Sequence, residues 1–346
     1  MKNYAGLDVS TKEISICVVD EEGRIVKRGS TPADPEAVAI FFSRNGVCLE
    51  RLVHESGPLS IWLQRGLARL GLPVICIDAR KAHKALSARA NKSDAADAEG
   101  LAQLARTGWF TEVHIRGHAA EALRALLGAR NRIIHLRKDL EAHVQGIMKS
   151  FGFRMTAVNK GHLRQGFRDQ LIAAGEANPV LASISDGFIA IHEALCVATA
   201  ALDKELRLVA RDNALCRRLM TIPSVGPIVA LSFIALVDDP GRFRKTSDIG
   251  AFLGLTPRRH QSGEVDYSGR ISKCGDVQMR GLLFESATCL IRLVKRFSPL
   301  KSWAVRLANR RGFKKAAVAA ARKIAVLMLA IWKNGTEFSW EGVATA

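Results

Sequence analysis

The sequence predicts an α/β layered domain at the N-terminus, long helices in the middle and a compact, mainly helical domain at the C-terminus. Three observations carry this. Ile- and Val-rich runs at 4–9, 13–19 and 24–29 are followed by an alternation of strand-like and helix-like segments. From about 118 to 150, apolar residues recur mostly at three- and four-residue steps. After Met220 a compact helical domain begins, with basic segments and glycine turns within it. The expected divisions are 1–115, 116–212 and 213–346.

The second and third runs are joined by Asp20-Glu21-Glu22-Gly23, a hairpin loop with glycine suited to the left-handed position. A helix at about 35–45, a strand at 51–54, an amphipathic helix at 60–70, a strand at 74–78 and a helix from Asp94 complete the first domain. Opening antiparallel strands followed by alternating β and α segments make a fold of the ribonuclease-H type. In the long helix, Leu123, Leu126, Leu127, Ile133, Ile134, Leu136, Leu140, Val144, Ile147 and Met148 form a coiled-coil-like stripe. This stripe suits either a homo-oligomer seam or packing within one chain. A second helix at 188–209 can pair with it; the polar stretch 151–185 has no clear assignment. Ile222-Pro223-Ser224-Val225-Gly226-Pro227 reads as the hairpin of a helix-hairpin-helix, where Gly226 admits a phosphate toward a helix N-terminus, or as a plain loop with proline opening a helix.

Composition narrows the partners. Fifty-one Lys and Arg face 33 Asp and Glu, a formal charge of +18, which attracts nucleic acid or an anionic membrane. The apolar run at 228–237 is too short to span a bilayer, and 316–332 is interrupted by Arg322 and Lys323. No membrane association is therefore expected. The first residues lead into a strand without a signal-peptide core, so a cytoplasmic, nucleoid-associated protein is expected. Seven scattered cysteines form no CxxC pair and suggest neither a disulfide framework nor a zinc site. Residues 240–335 hold twenty Lys and Arg against five Asp and Glu. That asymmetry, with glycine turns at 258–263 and 268–275, points to a nucleic-acid surface that includes Arg258, Arg259, Arg270 and Lys273.

Against this basic background four acids stand out: Asp8 in Gly6-Leu7-Asp8-Val9-Ser10, Glu55 in Val53-His54-Glu55-Ser56-Gly57, and Asp94 with Asp97 in Asn91-Lys92-Ser93-Asp94-Ala95-Ala96-Asp97. Asp8 and Glu55 end strands, where an open α/β sheet gathers its ligands. Asp94 and Asp97 lie three apart on a helix, hence on one face. Carboxylates brought together repel unless a cation neutralises them, and Mg²⁺ or Mn²⁺ suits an all-oxygen set. Taken singly, Asp94 also suits a helix cap, Asp8 a turn and Glu55 an exposed strand end.

These motifs, with Gly254-Leu255-Thr256-Pro257-Arg258-Arg259, Gln261-Ser262-Gly263 and Ile271-Ser272-Lys273-Cys274-Gly275, resemble the insertion-sequence transposases that have a RuvC-like Asp-Glu-Asp-Asp domain. The likeness runs through nearly the whole chain. Ser93, where threonine is usual, and His260, near which an aromatic is usual, are mild departures. The resemblance implies a DNA recombinase that excises and inserts its own element. It also implies metal on Asp8, Glu55, Asp94 and Asp97, and Ser262 as a nucleophile that forms a phosphoserine link. Further implications are a structured, element-encoded RNA that pairs with element ends and target DNA, and a dimer or tetramer with composite sites.

Three other readings compete. A sugar-kinase or actin-type ATPase shares a Gly-Leu-Asp phosphate loop, but the second Asp-Gly-Gly loop it needs is missing from this sequence. A non-catalytic nucleic-acid-binding protein is expected to have lost one or more of the acids. A RuvC-like resolvase that cleaves with water leaves Ser262 idle, and is separated from the serine mechanism by whether a covalent protein–DNA adduct forms.

Overall fold

A computed structural model describes residues 2–87, 93–156, 163–263 and 265–341. The chain forms two compact units, Met1–Arg116 and Gly117–Ala346.

In the first unit, strands β1 (Asn3–Val9), β2 (Glu13–Val19), β3 (Ile25–Pro32), β4 (Leu49–Glu55) and β5 (Val74–Ile77) form one sheet in the order β3-β2-β1-β4-β5. The first three pair antiparallel, while β1–β4 and β4–β5 are parallel. Helix α1 (Pro35–Arg44) starts at Asp34, whose carboxylate accepts from the Ala37 amide, and α2 (Ser60–Arg69) packs beside it. Phe42, Leu63 and Leu67 bury against Leu7, Ile14, Ile16 and Leu52 of the sheet. The short helix α3 (Ala79–Leu86), capped by Asp78, was not expected from the sequence.

Helix α4 (Asp94–Thr107) is built to approach the sheet closely. A Cβ on Gly6 of β1 would lie 2.3 Å from the Ala98 carbonyl oxygen and 2.4 Å from the Ala102 nitrogen. Only glycine fits there, which accounts for the first residue of the Gly6-Leu7-Asp8 motif. The helix runs antiparallel to β1: Gln103 donates to the Gly23 carbonyl at the far end of the sheet, and Arg51, at the start of β4, donates to the Ala105 carbonyl. The first turn of α4 therefore lies at the end where β1 and β4 finish.

The second unit contains α5 (His118–Ser150), α6 (Leu163–Ala177), α7 (Pro179–Asp212), α8 (Ala214–Leu219), α9 (Pro227–Val237), α10 (Asp248–Phe252), strands β6 (Pro257–Ser262) and β7 (Val265–Ile271), α11 (Val277–Arg292), α12 (Pro299–Arg311) and α13 (Phe313–Asn334). The long α5 and α7 pack together, and α6 lies along α7 within the stretch that the sequence left unassigned. Phe167, Leu171 and Ala174 of α6 share a small core with Val144, Met148 and Leu181. Leu127 and Leu206 belong instead to a larger core with α9, α11 and α13.

Only α7 among the described residues is long and apolar enough to cross a membrane by length and composition. Its polar partners argue for protein packing: Arg130 pairs with Asp203, Arg168 with Glu193 at 3.3 Å, and His192 with Glu141 at 3.0 Å.

Gly6→Ala forces α4 off the sheet or opens the β1 backbone. It is expected to cost about 3 kcal/mol or more of stability, read as a lower urea midpoint of the full chain. An unchanged midpoint would show that the helix does not pack on β1 at this distance.

Candidate functional site

Asp8 and Glu55 are neighbours through the strand register. Leu7 lies opposite His54 in the parallel β1–β4 pair, so the next residue on each strand is an acid, and parallel pairing turns both toward the same face. That face is the one covered by α4, because Gly6, two residues before Asp8, points into it. The first turn of α4 then brings Asp94 and Asp97 to the same edge. Ser93 caps the helix, its hydroxyl accepting from the Ala96 amide at 3.2 Å. Asp94 is thus the first helical residue and is not needed as the cap. Two acids in this turn also face the positive end of the helix dipole. Asn91 and Lys92 of the same motif lie outside the described residues.

The fold brings the four acids to one edge without closing them into a cage: among the described residues, no three acidic, thiol or imidazole side chains stand close enough to hold a metal ion. Asp94 is exposed, and Asp8, Glu55 and Asp97 are partly buried. The donor set itself, four carboxylates on rigid element ends, is chemically that of a hard divalent cation.

His54 anchors this edge from below, a role its sequence motif did not disclose. It is fully buried, with Nε2 2.9 Å from Gln64 Oε1 and Nδ1 3.1 Å from the Glu55 carbonyl oxygen. Gln64 in turn donates to the Val74 carbonyl at 2.7 Å, which ties α2 to the start of β5, opposite Leu52 of β4. Burial, the largest influence, pushes the His54 pKa below the usual histidine range, while its contacts with Gln64 and the Glu55 carbonyl act in the opposite direction.

In the second unit, β6 and β7 form an exposed hairpin, with Ser262 the last residue of β6 opposite Val265. Gly263, beside it, has φ +55° and makes the turn. Strand alternation puts Arg258, His260 and Ser262 on one face, and the His260 ring stacks on Tyr267 with centroids 5.0 Å apart. Arg259 points to the other face, where it pairs with Asp266 at 2.5 and 2.9 Å. Of the two adjacent arginines, only Arg258 shares the face of Ser262, and its guanidinium also donates to the Ser272 carbonyl at 3.1 Å.

The hairpin base is locked. Ser272 donates to Thr256 at 2.9 Å and Lys273 to Gly254 at 3.1 Å. This interlock holds Lys273 at φ +56°, a left-handed conformation that few lysines adopt. Arg270 is exposed near the end of β7. Gly226 precedes α9 with φ −93°, and the left-handed residue of that turn is Ser224 at φ +74°. The turn therefore does not require glycine at 226 for its backbone angle.

Comparison with known proteins gives this arrangement its family. A transposase model of the DEDD type, from the IS110 group, matches residues 5–153. A second, described as "Transposase IS116/IS110/IS902 family", matches residues 216–301. The chain belongs to the IS110/IS116/IS902 family of insertion-sequence transposases. The first match contains Asp8, Glu55, Asp94 and Asp97; the second contains Gly226, Arg258, Arg259, Ser262, Arg270 and Lys273. This transposase is 29% identical over 330 residues to the "Transposase for insertion sequence element IS1111A" of Coxiella burnetii, covering 94% of this chain and 88% of that one. It is 27% identical to a "Probable family 20 transposase" of Pseudomonas aeruginosa, covering 96% of this chain and 97% of the relative. A "Putative transposase y4pF/y4sB" of Sinorhizobium fredii is 30% identical over 253 residues, covering 71% of this chain and 64% of the relative.

The first unit of this transposase is expected to lose stability in acid through the buried His54. Unfolded, the ring takes up a proton near pH 6.5; folded, it resists, so below that pH the unfolded state binds more protons and stability falls. His54→Gln is expected to flatten the loss of stability between pH 7 and 5, measured by urea denaturation across that range. A slope equal to the wild type would mean that His54 is not the titrating group.

Proposed function

We propose that this transposase cuts and rejoins DNA with Ser262 as nucleophile. Asp8, Glu55, Asp94 and Asp97, on a domain of the ribonuclease-H or RuvC type, would hold one or more Mg²⁺ or Mn²⁺ ions. The observation that carries this is the gathering of four acids at one sheet edge in a chain of net charge +18. Carboxylates brought to one edge repel one another. A bound divalent ion supplies charge neutralisation and polarises a phosphate oxygen.

The chain's own residues have distinct tasks in this reading. The Ser262 hydroxyl attacks the phosphorus of a phosphodiester. The new Ser262 Oγ–P bond forms as the bond to the leaving deoxyribose oxygen breaks, and the serine proton passes through solvent to that oxygen. The phosphoserine keeps the energy of the diester, so a second deoxyribose hydroxyl can reverse the step and join a different strand. Arg258, on the serine's face of the hairpin, is positioned to bind a non-bridging phosphate oxygen. Arg259 supports the strand pair through Asp266.

The remaining proposals concern partners. DNA is the substrate, as element ends and target, and an element-encoded structured RNA as guide is compatible with the basic C-terminal unit. A homo-oligomer, dimer or tetramer, is supported by apolar residues left exposed along the long helices: Leu136 on α5, and Ile191 and Val197 on α7. In such an assembly the serine of one subunit would meet the acids of another.

Ser262→Ala is expected to abolish strand cleavage while DNA affinity stays within about twofold, since an exposed hydroxyl alone is lost. Wild type on a nicked suicide substrate is expected to yield a DNA-linked peptide containing Ser262. Robust cleavage by the alanine variant would replace the serine mechanism with attack by water.

A further inference from the structure

A groove of about 1300 Å³ opens on the second unit between the β6–β7 hairpin, α12 and α13. Its floor is apolar and includes Leu300, Trp303 and Val318. Arg270, Lys273, Lys314, Lys315, Arg322 and Lys323 line it, against one carboxylate, Glu341. Among the described residues, none of the six cations forms an ion pair. Six like charges around an apolar floor repel one another, and a polyanion relieves that repulsion. Lys273 is held there in its left-handed conformation by the interlocked hairpin base, the kind of backbone strain that collects at ligand-binding positions.

The floor decides which polyanion. A duplex buries its bases and presents phosphates, so it needs cations but no apolar trough. An unpaired strand offers both charged phosphates and flat, apolar base faces, and a basic groove with an aromatic platform is how such strands are bound. Trp303 is that platform. The Lys323 ammonium lies 4.6 Å from its ring centroid, and the flexible stem allows the charge to swing from the ring to a phosphate as a base moves in.

We propose that this groove receives an unpaired DNA strand, with a base against Trp303 and its flanking phosphates on the lysine and arginine rim. DNA is favoured over RNA because strand exchange by a DNA transposase itself generates unpaired DNA. The proposal does not depend on Ser262 being the nucleophile.

Photocrosslinking of the full-length protein to a single-stranded DNA oligonucleotide carrying 5-iododeoxyuridine tests it. The expected product is a crosslinked peptide containing Trp303, suppressed at least tenfold when the same oligonucleotide is annealed to its complement. The exposed pair Lys314→Gln/Lys315→Gln leaves the fold intact. It is expected to reduce the dependence of log affinity on log salt for the single strand by about 1.4, the value for two lost phosphate contacts. The proposal is overturned by crosslinks that fall outside the groove, by equal labelling from the duplex, by an unchanged salt slope in the double variant, or by tenfold stronger labelling from the matching RNA. Ser262→Ala should crosslink like the wild type, which separates failure here from failure of the serine mechanism.

Discussion

The first unit depends on how closely α4 can lie on β1. Without a side chain at Gly6, the helix backbone reaches van der Waals contact with the strand, and Ala98 and Ala102 continue that small-residue surface on the helix side. Because α4 runs antiparallel to β1, this contact fixes where its first turn ends up. The turn carries Asp94 and Asp97 to the edge where Asp8 and Glu55 leave adjacent parallel strands. A larger residue at position 6 would preserve every acid in the sequence and still spoil their alignment.

Charge organises the two units differently. In the first, acids are concentrated against the net sign of the chain, and the buried His54 packs beneath the end of β4. In the second, cations accumulate, and among the described residues a minority form ion pairs; Arg259, paired to Asp266, is one that serves the hairpin itself. In the function proposed above, an acid-rich edge holding a divalent cation would neutralise charge at the reacting phosphate, and a base-rich surface would attract the rest of the polymer.

The strands, the main helices and the four acids were legible because they rest on local patterns: period-two Ile and Val runs, the Ser93-Asp94 helix start and the spacing of Asp94 and Asp97. Features that depend on distant contacts were not. The steric role of Gly6 exists only once α4 is in place. The partnership of Arg259 with Asp266 spans a hairpin, and without it the two arginines beside Ser262 look equivalent. Helix α6 has its apolar residues at helical spacing, Phe167, Leu171 and Ala174, but polar neighbours masked the signal in a stretch that gains its core only from α5 and α7. In the turn before α9, the strained residue is Ser224 and not the more conspicuous Gly226, since a loop's backbone angles follow from both flanking helices.

The account rests most heavily on the claim that the four acids act as one cation site. Replacing the divalent ion with Fe²⁺ and generating hydroxyl radicals cuts the backbone only near the bound metal. The account predicts cuts clustered around residues 8, 55 and 94–97 together, all competed away by Mg²⁺ and all lost in Asp8→Asn. Cuts confined to one of these segments, or lying elsewhere in the chain, would contradict it.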